Sequence, residues 1–205
     1  YDYKYDTYYS ENSVMNYARN LFLDDVITED SLLLKGIEII RNWDLGNQKE
    51  NKNAAISHLT FKPTYNLDDY NYNYNTTLKR FKDGIKFLIN EFGKIDIQLG
   101  ELQRLKRGKV DLPLDGAPDV LRAIYSNMVD NRKVAFNGDC FFQIVDWDQN
   151  GNLYSESIHQ FGSATLDSNS MHFSDQSILF SNKKMKPVWM ELDSIKMNLV
   201  RSYKP

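Results

Sequence analysis

Gly138-Asp139-Cys140-Phe141-Phe142-Gln143-Ile144-Val145-Asp146-Trp147 alternates as a β-strand does. Cys140, Phe142, Ile144 and Asp146 fall on one face, and Phe141, Gln143, Val145 and Trp147 on the other. Apolar residues on both faces predict a strand inside a layered sheet. Asp146 interrupts that pattern, a carboxylate at the end of an otherwise apolar face. In a core it needs a partner, since burying even a neutral polar group unpaired costs roughly 2 kcal/mol or more. Two readings of Asp146 stand side by side: it starts the turn that follows, or it orients a histidine as the carboxylate of a catalytic triad does. Cys140, inside the apolar run, reads as a small buried hydrophobe rather than a nucleophile.

Downstream, Asp148-Gln149-Asn150-Gly151 has Asp first and Gly last, as a type I turn prefers, and residues 152–161 read as the return strand. The same turn competes as the start of a calcium loop, through Asp146, Asp148, Asn150 and Gly151. Such a loop wants a bidentate Glu at its twelfth position, where this chain has Ser157. Residues 167–174 read as a loop, Ser174-Asp175 as the cap of a helix through Ile178, Leu179 and Phe180, and Pro187 as its breaker. Asp193 or Ser194 is placed to cap a last helix.

Upstream the character is helical. Thr28-Glu29-Asp30 caps a helix carrying Leu33, Leu34, Ile37 and Ile40, and Asn53 caps a short one ahead of Pro63. Leu78, Phe81, Ile85, Leu88, Ile89 and Phe92 recur at helical spacing after Thr76-Thr77, and Gly93 ends that helix. A further helix is predicted over residues 99–105, with the basic run Arg104-Leu105-Lys106-Arg107-Gly108-Lys109 as its solvated end. At Val110 the composition turns extended and turn-rich through Asp111-Leu112-Pro113-Leu114-Asp115-Gly116-Ala117-Pro118-Asp119. The fold class is therefore α+β: a mainly helical segment over residues 1–109 and a strand-rich segment over residues 110–205, both parts of one larger domain.

The 205 residues carry a net charge of −3 with mixed signs, which gives no footprint for nucleic acid. No run is long and apolar enough to predict a membrane span. One cysteine excludes an internal disulfide, and there is no Walker loop, dinucleotide glycine pattern or nucleophile elbow, so no cofactor or metal is predicted. His58, His159 and His172 lack metal-ligand spacing and read as structural hydrogen-bonders. Two Tyr/Asn/Asp-rich stretches, residues 1–9 and 65–74, read either as a stacking surface for sugars or bases or as loops whose rings pack onto helices; lacking basic interleaving, they favour packing.

The C-terminal block resembles the penicillin acylase family of N-terminal-nucleophile hydrolases, nearest the branch that cleaves acyl-homoserine lactones, aculeacin and related long-chain amides. The resemblance runs through Leu112-Pro113-Leu114-Asp115-Gly116-Ala117-Pro118-Asp119, Asn137-Gly138-Asp139 leading into Val145-Asp146, Phe161-Gly162-Ser163, Met171-His172-Phe173-Ser174-Asp175-Gln176 and Lys186-Pro187-Val188-Trp189. More loosely, it takes in Arg41-Asn42-Trp43-Asp44 and Ala54-Ala55. It implies an αββα sandwich and hydrolysis of an N-acyl amide by an N-terminal serine whose own amine is the base. It further implies that Asp146 pairs with a histidine near that serine, and that the enzyme is periplasmic or secreted. This chain begins with Tyr1, so the resemblance implies the C-terminal part of the β subunit, partnered by the rest of the α and β subunits and inactive alone. An unpaired sheet edge is expected on it. The alternative reading is a non-catalytic binding module, gripping carbohydrate through its tyrosines or stabilised by calcium.

Overall fold

The computed structural model describes residues 2–62 and 71–200. They divide into two compact units, the first running from Asp2 to Gly138 and the second from Asp139 onward. The division falls after Gly138, whereas the shift in composition falls at Val110.

The first unit packs helices α1 (Val14–Asp25), α2 (Ser31–Arg41), α3 (Ala54–Thr60) and α4 (Tyr74–Phe92) around one apolar core. Local chemistry sets their ends. Asp30 Oδ1 accepts from the Leu32 and Leu33 amides, as the sequence predicts. Asn73, three residues ahead of the expected Thr76, caps α4 by accepting from the Thr76 amide, and Gly93 closes the helix in a left-handed conformation. The buried face of α4 is Thr77, Phe81, Gly84, Ile85 and Leu88, the stripe its periodicity marks. Phe22 of α1 meets Phe81 at 5.2 Å and Phe61 at 5.9 Å between ring centroids, and Trp43 is fully buried with its indole N–H on the Gly46 carbonyl at 2.8 Å.

A four-stranded sheet completes this unit, in the order β2 (Val110–Pro113), β1 (Gln103–Arg107), β4 (Arg132–Gly138), β3 (Ile124–Val129), with β1 and β4 parallel. This corrects the sequence reading at residues 99–105. Only Leu99–Leu102 is helical (α5), and the basic run turns into the β1–β2 hairpin. Lys106 lies across from Asp111 and Arg104 reaches it diagonally, with Arg104 Nε 2.7 Å from its carboxylate, and these cross-strand contacts replace the expected helix end. The β3–β4 hairpin is also absent from the sequence reading. Its two-residue loop, Asp130-Asn131, has both residues at positive φ (48° and 59°), as a primed hairpin turn requires.

Of the two tyrosine-rich stretches, residues 65–70 lie outside the described residues. In the first stretch Tyr5 and Tyr9 pack inward, Tyr9 edge-on to Trp43, while Tyr8 is half exposed.

The second unit holds a three-stranded antiparallel sheet, β5 (Phe141–Trp147), β6 (Leu153–His159) and β7 (Lys186–Pro187), with short helices α6 (Ser177–Ser181) and α7 (Leu192–Met197). The Asp148 turn forms as expected, with Gly151 N–H on the Asp148 carbonyl. Helix α6 starts two residues after the expected Asp175 cap, because that carboxylate is taken by His172. Helix α7 is preceded by Glu191 rather than capped by Asp193 or Ser194.

The phrase Phe161-Gly162-Ser163 and the loop around His172 make a clasp against β6. Ala164 N–H meets the His172 carbonyl, Gln176 N–H meets the Phe161 carbonyl, and Gln176 Oε1 accepts from His159 N–H. A Cβ on Gly162 would meet the His172 carbonyl and the Asp175 carboxylate, so this position needs glycine for close approach.

Candidate functional site

Strand β5 is an edge strand, hydrogen-bonded to β6 alone among the described residues. This overturns the expectation that it is covered on both faces. Phe141, Val145 and Trp147 are exposed, and only Phe142 and Ile144 are half-buried. Cys140 is exposed too, just ahead of the strand, with its carbonyl accepting from Gln160 N–H. Asp146 is exposed, so the burial cost that its position on an apolar face suggested does not arise.

Asp146 stands opposite Tyr154 in the β5–β6 register, on the face it shares with Ile144 and Glu156. It lies on the wall of a cavity of about 750 Å³ formed with Leu153, Val188, Trp189 and Met190. The cavity is a groove across the end of the sheet, closed on one side by the chain leaving β7, where Val188 N–H bonds the Ser155 carbonyl. Its wall is mainly apolar, with Asp146, Glu156 and Glu191 as its acids. The Asp146 side chain has no hydrogen-bond or ion-pair partner among the described residues.

Neither histidine of its own unit serves it. His159 pairs with Phe141, five residues along the ladder and on the opposite face, about 17 Å away at the rise of an extended strand. His172 Nδ1 is held at 2.7 Å by Asp175 on the surface. His58 belongs to the other unit, where its Nε2 lies 2.6 Å from Asn47 Oδ1.

The His58 cluster is a buried polar network that sequence reasoning missed. Asn47 Nδ2 donates to the Thr7 and Leu45 carbonyls, which can only accept, so Oδ1 must face His58 and Nε2 must carry the proton. Nδ1 is then the bare nitrogen, 3.4 Å from Lys133 Nζ. Burial, aided by the Lys133 charge, drives His58 well below the usual imidazole range, and burial lowers the Lys133 ammonium to about 8. The partners lie 11 and 75 residues from His58, so no local pattern announces them.

Nearby, the block opening Leu112-Pro113 is spent on structure. Gln103 Nε2 donates to the Leu114 and Gly116 carbonyls. Asp115 and Arg122, both fully buried, form an ion pair at 3.6 Å. Gly116 sits at φ 102°, where a Cβ would strike the Arg122 backbone.

Asp148 closes its own turn. Oδ1 accepts from the Asn150 and Asn152 amides and Oδ2 from the Asn152 side chain, and these bonds, led by the Asn152 side chain, lower its pKa. Among the described residues no three His, Cys, Asp or Glu side chains gather as metal ligands, and no helix is long and apolar enough to cross a membrane.

A family model described as penicillin amidase matches residues 4–197. The chain belongs to the penicillin amidase family. The match spans both compact units, so the helical first half is family sequence as much as the C-terminal block is. Among solved structures, the thermostable penicillin G acylase from Alcaligenes faecalis in orthorhombic form is similar at 13% identity and a TM-score of 0.42. The alignment covers 98% of this chain and 47% of that one, so this chain spans about half the length of that acylase. No curated protein matches by sequence. The α+β class expected of this family chain holds, with helices and two sheets in the arrangement described.

Proposed function

We propose that this chain is the C-terminal part of a penicillin-amidase-type acylase, an enzyme that hydrolyses the linear amide of an N-acyl substrate such as a penicillin or an acyl-homoserine lactone. The nucleophile is an N-terminal serine in another part of the β subunit, and the enzyme works in the periplasm or outside the cell. Family membership supports the reaction class. The observation that carries the role of this piece is Asp146: an unpartnered carboxylate on the wall of an apolar groove, served by neither histidine of its own unit. In this reading Asp146 is a positioning residue. It accepts the Nδ1 proton of a histidine supplied by the rest of the β subunit, fixes its tautomer and raises its basicity. The open edge of β5, with exposed Phe141, Val145 and Trp147, is where that remainder adds its strand.

The test is Asp146→Ala in the whole acylase. Turnover should fall about 10²-fold or more, the range of a positioned acid–base partner, with KM little changed. The acid limb of the pH–rate profile should move to lower pH, because a histidine without its carboxylate loses its proton more easily. Unchanged turnover and an unmoved limb would remove Asp146 from the mechanism. The isolated chain should release no amine from an N-acyl amide, and measurable hydrolysis by it would overturn the division of labour.

A further inference from the structure

A second cleft, about 590 Å³, lies wholly within the first unit. Its walls are Asp6, Tyr8, Tyr9, Asp119 and Tyr125, with Val120, Leu121 and Ala123 as an apolar side. It joins two stretches far apart in sequence, the tyrosine-rich residues 1–9 and the Asp119 end of the Leu112-Pro113 block. Neither has a part in the proposed amide hydrolysis.

Three observations mark it as a site rather than a dent. Tyr9 is only 4% exposed, yet its hydroxyl is buried without a hydrogen-bond partner. Burial first, then the Asp119 carboxylate and Tyr125, hold the Tyr9 proton on, which places the phenol within electrostatic reach of that carboxylate. Asp119 is exposed and has no hydrogen bond among the described residues, and its partial desolvation raises its pKa with no cation acting to lower it. It also sits at φ 62°, a conformation Asp and Asn tolerate better than other L residues. The cations at hand are engaged elsewhere: Lys4 donates to the Leu121 carbonyl at 2.5 Å, and Arg122 pairs with Asp115. Asp6 is partly committed, accepting from the Tyr8 amide at 2.9 Å.

We propose that this cleft binds a small organic ammonium ion, its charge on Asp119 and Asp6 among the tyrosine rings and its alkyl stem along Val120, Leu121 and Ala123. The chemistry follows from the walls. An ammonium group offers the donors that an unpaired carboxylate and an unpartnered phenol oxygen lack, and aromatic faces attract the same charge. A neutral polyol would satisfy the hydrogen bonds but would leave the two acids uncompensated. This site is independent of the acylase reading, and its ligand need not be an acylase substrate.

The test is a titration of the full chain followed by NMR on the tyrosine ring protons, with n-butylammonium, its neutral isostere n-butanol, and methyl glucoside as probes. n-Butylammonium should bind saturably and at least about tenfold more tightly than n-butanol, the margin of one charge-assisted contact. Asp119→Asn keeps the shape and tolerates the backbone conformation, and should weaken n-butylammonium by about tenfold. Tyr9→Phe removes only a hydroxyl without a partner, so it should fold as the parent does and weaken binding severalfold. Equal binding of the amine and the alcohol would overturn the proposal. So would preference for the glucoside, no saturable binding of the amine, or undiminished binding by either variant.

Discussion

Replacing Asp115 with alanine tests how the first unit is held together. Asp115 and Arg122 are 1% and 0% exposed, and the Arg122 guanidinium lies 3.6 Å from the carboxylate and 5.3 Å above the Tyr5 ring. Asp115→Ala leaves the guanidinium charged in place, since arginine does not give up its proton in proteins. Stranding one member of a buried pair costs about 3–5 kcal/mol. The Tyr5 face remains and returns up to about 1–2 kcal/mol as a cation–π contact, so the lower half of that range is expected. For a unit of about 137 residues, an unfolding entropy near 2.1 cal/mol/K per residue converts about 3 kcal/mol into a drop in Tm of roughly 10 °C. Removing both charges, as Asp115→Leu with Arg122→Met, should cost little or even stabilise, because the desolvation of two ions is then avoided. Trp43 reports on this unit alone: it is fully buried here, whereas Trp147 and Trp189 are exposed in the other unit. Urea and thermal unfolding followed by its emission would measure both variants against the parent. A single substitution costing under about 1 kcal/mol, or a double substitution as costly as the single one, would refute the reasoning.

Three further outcomes follow from the same structure. Lys133, lowered to about 8 by burial, gives up its proton in the folded chain while the unfolded chain keeps it to about 10.4, so stability should rise between pH 8 and 10. After allowance for its partial exposure, the gain is on the order of 1–2 kcal/mol, and it should vanish in Lys133→Met. His58, held neutral by burial, acts at the other end: stability should fall as pH drops below about 6.5, and His58→Gln, which can still donate to Asn47, should flatten that fall in denaturant titrations. Gly162→Ala should unfasten the β6 clasp by forcing the His172 carbonyl away, at about 1–3 kcal/mol. Its direct readout is the His172 imidazole, whose NMR ring-proton signals should move as the 2.7 Å contact with Asp175 is lost.

What the sequence disclosed and what it hid divide along physical lines. Helix α4 was legible because its stripe and its Gly93 stop are local signals, and Asp30 was legible because capping is a contact between near neighbours. The β1–β2 hairpin was misread as a helix end because Arg104 and Lys106 answer to Asp111 across a strand pair, a contact that neither charge count nor periodicity encodes. The β3–β4 hairpin did carry a local mark, the Asp130-Asn131 pair that tolerates positive φ, and a search for two-residue turns finds it. The alternation of β5 correctly assigned its residues to faces but not their burial. Periodicity tells which side chains travel together, while burial depends on which strand or helix lies alongside.

The same distinction separates the aspartates in the block that resembles acylases. Asp115 is neutralised by Arg122 inside the core, and Asp175 holds His172 beside the Gly162 clasp. Both are structural, and replacing either should be felt as lost stability. Asp119 and Asp146 differ in kind. Each faces a cleft, and neither side chain has a hydrogen-bond or ion-pair partner among the described residues. Asp119 and Asp146 are both exposed beside open volume, so neither depends on a protein partner for its charge. Replacing Asp119 or Asp146 by its amide should therefore leave unfolding free energies within about 0.5 kcal/mol of the parent, as for surface sites away from such networks. The effect should appear in ligand binding for one and in acylase turnover for the other. A large stability loss in either amide variant would make that aspartate structural like the other two, and would withdraw the site built on it.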